Sequence, residues 1–135
     1  MALITWTPSL SVGVPIFDAH HKELVKMLNE LHDAMKSGQG NDVIGNILNR
    51  LASYTIAHFG AEESKMSLHN YPGAVQHKKE HADLVAQLKD FQQKFQSGRL
   101  GLSIQLLNFL RDWLVNHING TDMKYKDFFT ARGVA

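Results

Sequence analysis

A chain of 135 residues has the length of one domain, with room for a single core and none for a second. Its formal charge of +1, with acids and lysines interspersed, excludes a basic face for nucleic acid and a polybasic membrane anchor, and the lack of cysteine excludes disulfides, thiolate zinc sites and cysteine-ligated iron–sulfur clusters. No stretch approaches the roughly 20 apolar residues of a membrane span, and Met1–Trp6 shows no basic region followed by a long apolar run, so the expectation is one cytoplasmic, monomeric domain over 1–135 that does not insert in membranes.

Residues 1–17 carry Pro8, Gly13 and Pro15 without a sustained period and read as an extended arm, with Trp6, Ile16 and Phe17 packed onto the body. Asp18 offers a side-chain oxygen as N-cap of a first helix, whose stripe of Phe17, His21, Leu24, Leu28, Leu31 and Met35 steps by four and three before Ser37-Gly38-Gln39-Gly40. Asn41 caps a second helix with Ile44, Ile47, Leu51, Tyr54, His58 and Glu62 on one face, running to about Met66 before the turn Asn70-Tyr71-Pro72-Gly73. A third follows with His77, His81, Leu84, Leu88, Phe91 and Phe95, stopped by Ser97-Gly98, and a fourth with Ile104, Leu107, Leu110, Leu114 and His117. Gly120 interrupts that helix, and a short C-terminal helix begins near Asp122, with Tyr125, Phe128 and Phe129 capping the whole. No strand-like alternation occurs. Helices joined this closely must run antiparallel, so the predicted fold is all-α, an up-down-up-down four-helix bundle with an N-terminal arm and a short C-terminal helix.

Antiparallel alternation brings His21, His58, Glu62, His77, His81, His117 and Asp122 to one end of the bundle, on the stripes that ordinarily hold core residues. A buried imidazole or carboxylate with no partner costs on the order of 1–7 kcal/mol or loses its charge, so seven together require a shared explanation, and a metal cluster is the most economical. The spacing of four in His58/Glu62 and His77/His81 stacks each pair on one helix face. His117 and Asp122 are five apart, about 140° out of phase on a regular helix, so a break or π-type turn is needed there, with Gly120 placed to supply it. Imidazole and carboxylate donors suit iron, manganese or zinc rather than copper(I). Two octahedral ions offer roughly twelve positions. Five imidazoles, two bridging carboxylates and one bridging hydroxide fill all but one, leaving room for a single small ligand such as dioxygen.

Asp18-Ala19-His20-His21-Lys22, His58-Phe59-Gly60-Ala61-Glu62-Glu63, Tyr71-Pro72, His77-x-x-x-His81 and Trp113-Leu114-x-x-His117-Ile118-x-x-x-Asp122-x-x-Tyr125 resemble, in order and spacing, the signature of the hemerythrin family. The resemblance implies a hydroxo- or oxo-bridged pair of iron ions. His77, His81 and His117 would serve one iron and His21 and His58 the other, with Glu62 and Asp122 bridging. It further implies reversible dioxygen binding at the two-histidine iron for storage, transport or delivery, without enzymatic turnover, and an oxygen-consuming enzyme as recipient. Leu114 and Ile118 would form the apolar ligand pocket, with Leu24, Phe59 and Trp113 as further members. Two positions depart from the family's habit: His20, where glutamine is frequent, and Leu84, where an aromatic is frequent. Helical phase selects His21 as the ligand, because it continues the stripe from Phe17 to Leu24.

The alternatives are an oxygen- or redox-sensing module, which expects an output domain that is not foreseen beyond Ala135, and a di-iron oxidase or peroxidase, which expects a more carboxylate-rich site. Zinc or iron storage is a further option. His77-Lys78-Lys79-Glu80-His81 also fits the His-x-x-Glu-His pattern of zinc peptidases. In that stretch Glu80 turns about 100° off the His81 face toward solvent, which removes the general base from the metal side. His32 and His69 fall off the stripes and are expected to be solvated; Trp113 and Tyr125 read as core and cap.

Overall fold

A computed structural model describes residues 4–38, 41–96 and 104–133. Within them lie α1 (Pro15–Lys36), α2 (Asn41–Leu68), α3 (Ala74–Gln96), α4 (Ile104–Asn116) and the short α5 (Lys126–Ala131), with no strand among the described residues. Helix α1 packs on α2 and on α4, and α2 on α3. The expected stripes form the core: Leu24, Leu28, Leu31, Ile44, Ile47, Leu51, Leu84, Leu88, Leu107, Leu110 and Leu114 are all buried in one cluster. The side chain of Ile104, the Gln39-Gly40 link and the Ser97-Gly98 stop lie outside the described residues. No described helix is long and apolar enough to cross a membrane.

The arm is held more tightly than an extended tail. Its Pro8–Leu10 segment forms a 3-10 turn, and Ile4, Leu10, Val12 and Val14 are buried. Ile4 exchanges two backbone hydrogen bonds with the Asn29 amide, each 2.9 Å. Asp18 is not the N-cap. Helix α1 begins at Pro15, whose fixed φ and missing N–H suit a first helical turn. Asp18 sits a turn further in and reaches back to accept from the Val12 N–H at 2.8 Å and the Ser11 hydroxyl at 2.6 Å. Ile16 is 47% exposed rather than packed, because it lies one residue, about 100°, from buried Phe17.

Between α2 and α3, Asn70 takes a left-handed φ of 54° and the Tyr71 N–H bonds the Met66 carbonyl at 2.9 Å, a helix stop that ends α2 two residues later than expected. At Gly13 the backbone is also left-handed, φ 73°, and an added Cβ would lie 3.1 Å from Thr130 Oγ1. Gly13→Ala is therefore expected to cost about 1–3 kcal/mol in urea denaturation. Gly120 differs: its φ is not positive and a Cβ there would meet nothing within 4 Å. Gly120→Ala should leave stability unchanged or raise it by up to about 1 kcal/mol, a difference the same titration reads directly.

Candidate metal centre

Where α4 ends, His117–Thr121 forms a π-helical turn followed by a 3-10 turn over Asp122–Tyr125. The Asp122 N–H reaches the His117 carbonyl five residues back, which widens the helix and swings the Asp122 carboxylate onto the face that His117 occupies. The chain continues through this turn rather than breaking, and since Gly120 is under no steric constraint there, the turn does not depend on the glycine that the sequence singles out.

All seven residues of the predicted set are brought together and buried. Each imidazole directs Nε2 inward. His77 Nε2 is 2.8 Å from Asp122 Oδ1 and His117 Nε2 is 3.2 Å from the same oxygen, while His21 Nε2 is 3.2 Å from Oδ2. On the other carboxylate, His58 Nε2 lies 3.1 Å and His81 Nε2 3.4 Å from Glu62 Oε1. Grouped by convergence of donor atoms, two sets with metal-holding geometry emerge, Glu62, His77, His81, His117 and Asp122 in one and His21, His58, Glu62 and Asp122 in the other. Both carboxylates belong to both sets.

These contacts are short but poorly aligned. His21 Nε2, His58 Nε2, His77 Nε2, Glu62 Oε1 and both Asp122 oxygens are shielded from solvent yet meet no hydrogen-bond geometry. Each such orphan costs about 1–3 kcal/mol, and the lone pairs converge on common points rather than on one another. That is what a cation bound between them would satisfy, and the all-nitrogen-and-oxygen donor set fits iron.

Electrostatics favour the ionised carboxylates. Burial pushes Asp122 up, but the imidazoles of His117, His21 and His77 outweigh it and hold the carboxyl well below its ordinary range. Burial and the Asp122 charge push Glu62 up, while His58 and His81 bring it down to about 2. His117 is raised: burial lowers it, and the adjacent Asp122 more than compensates.

Several groups around the centre escape a reading based on helix stripes, because they act across helices. The buried Tyr125 hydroxyl donates to Glu62 Oε2, and burial together with the Asp122 and Glu62 charges pushes its pKa up, so it remains a donor. His20 Nδ1 is 2.8 Å from His58 Nδ1, and Glu63 Oε2 is 3.3 Å from His81 Nδ1. Glu80 does not point free into solvent: it is half-buried and accepts from the Thr121 hydroxyl at 2.7 Å, tying α3 to the π turn. His32 and His69 are likewise half-buried rather than solvated. His69 lies with its ring 6.0 Å from Phe129, and His32 has a shielded Nδ1.

Of the expected ligand pocket, Leu24, Trp113 and Leu114 line an apolar cavity of about 30 Å3 together with Leu28, Leu51, Thr55, Leu84, Leu88 and Leu110. Phe59 and Ile118 stand elsewhere. Phe59 stacks on the His81 ring at 3.7 Å, and Ile118 is buried beside His117 within the π turn. Trp113 also stacks on His117, 4.6 Å between centroids.

The family model described as the hemerythrin HHE cation binding domain matches residues 12–129. A bacteriohemerythrin of Methylococcus capsulatus is 39% identical over 126 residues, 93% of this chain and 95% of the relative, and one of Stenotrophomonas maltophilia is 35% identical over 127 residues, 94% and 82% of the two chains. The crystal structure of a wild-type hemerythrin superposes with a TM-score of 0.89 at 38% identity, covering 93% of this chain and 97% of that one.

Proposed function

Because the chain belongs to the hemerythrin family of HHE cation-binding domains, we propose that it binds dioxygen reversibly at a non-haem di-iron centre, as a carrier or store rather than an enzyme. The observation that carries this reading is the pair of buried donor sets that share Glu62 and Asp122. His77, His81 and His117 would hold one iron and His21 and His58 the other. Three imidazoles against two would leave the second ion the less saturated, so a small ligand would bind on the His21/His58 side. When bound, a ferrous pair supplies the electrons that dioxygen binding requires and recovers on release.

The remaining work belongs to the chain. Tyr125 holds one Glu62 oxygen by its hydroxyl, which fixes the carboxylate between the two histidine sets. Phe59 and Trp113 lie flat on His81 and His117 and restrict ring rotation. Leu24 and Leu114, each about one turn from a ligand histidine, line a hydrocarbon cavity that suits an apolar diatomic better than water or ions. The nitrogen-rich donor set, five imidazoles to two carboxylates, weighs against the oxidase alternative, which expects more carboxylates.

Metal analysis with absorption spectra of the reduced protein before air, after air and after degassing tests the reading. Two irons per chain and a charge-transfer band that appears in air and disappears on degassing are expected. A band that forms once and never reverses would point to oxidation instead of carriage.

A further inference from the structure

Among the described residues, one ligand in each histidine set has its outer ring nitrogen on a neighbouring side chain: His81 on Glu63 and His58 on His20. The two partners differ in kind. A carboxylate only accepts, whereas an imidazole accepts or donates according to its tautomer. His20 is held edge-on between neighbours, with ring centroids 4.9 Å from His58 and 5.9 Å from Tyr54, both near perpendicular, so its Nδ1 has a fixed aim.

That aim matters because ligation would fix the His58 tautomer. Its Nε2 faces the centre, 3.1 Å from Glu62 Oε1 and without hydrogen-bond alignment to it. A ligating Nε2 must present a lone pair, which puts the proton on Nδ1 and demands an acceptor. We infer that His20 is the positioning residue for His58, accepting at its Nδ1 the proton that a ligating His58 must carry on its own Nδ1. His21, the other histidine of that set, has an unpartnered Nδ1, so His20 supplies the set's sole outer anchor among the described residues.

The inference rests on the reading of the cluster as a metal centre. Calorimetric titration of the stripped protein with Zn2+, and imidazole 15N spectra of the zinc-loaded form, test it in wild type, His20→Gln and His20→Leu. Wild type and the glutamine variant, whose amide also donates or accepts, are expected to take two equivalents and to show a protected His58 Nδ1–H. The leucine variant should bind the second equivalent about 10–100-fold more weakly and lose that protection. Equal binding by wild type and His20→Leu would overturn the role of His20 and leave the centre standing. A glutamine variant as weak as leucine would show that ring packing, not the hydrogen bond, matters. Failure of wild type to bind zinc would overturn both readings.

Discussion

Asp122→Asn is expected to release both metal ions at once, whereas His58→Ala or His81→Ala weakens chiefly the ion on its own side. The asymmetry follows from membership. Asp122 and Glu62 appear in both donor sets, while every histidine appears in one. Asparagine keeps the size and one carbonyl oxygen but loses the charge and the second acceptor, so each donor set loses a charged member. Outer-sphere substitutions already cost about 10–100-fold in metal affinity, and an inner donor shared by two ions should exceed that for each. Metal content of the purified Asp122→Asn protein should fall from two per chain to below detection while its helical circular dichroism persists. Retention of one ion would mean that Asp122 serves a single metal and would dismantle the shared-carboxylate arrangement. The isosteric change is preferable to alanine, which would leave a void among His21, His77 and His117.

How far the site could be read from the chain depends on which interactions are periodic. The phase from Phe17 to Leu24 separates His21 from His20, and the structure buries the first and leaves the second half-exposed. The five-residue step from His117 to Asp122 has no regular helical solution on one face, and a π turn spans it. Its attribution to Gly120 fails because a helix widened by one residue satisfies its own hydrogen bonds and needs no missing side chain. Asp18 misleads in a similar way. An acidic residue near a helix start suits several positions, and Pro15 takes the start while Asp18 ties down the arm. The groups behind the centre are illegible for a different reason. His20 to His58, Glu63 to His81 and Tyr125 to Glu62 join residues 38, 18 and 63 positions apart, so no local spacing encodes them. Only helix packing sets which polar residue stands behind which ligand.

Stripping the metal should destabilise the protein strongly at pH 8 and only weakly at pH 5. Ligands that bind only the folded state add RT ln(1 + [L]/Kd), about 2.7 kcal/mol per site when free metal is a hundredfold above Kd. At pH 8 few protons compete with metal for its ligands, and two sites make the gap between loaded and stripped protein several kcal/mol. Acid acts on both sides of that gap. His117 has a raised pKa in the stripped fold, so its protonation contributes stability below the unfolded value of about 6.5 and loses it as pH rises through the folded value. Glu62 and Asp122 are depressed, so their contribution is present above about 4 and is lost only as pH falls through their folded values. Between about pH 4 and 6.5 the stripped fold therefore gains an imidazolium held against ionised carboxylates. In the same window protons compete with metal for that imidazole, and the loaded fold loses binding energy. Urea denaturation of loaded and chelator-treated protein at the two pH values measures the gap directly. A gap as wide at pH 5 as at pH 8 would mean that protons and metal do not compete for the His117 site.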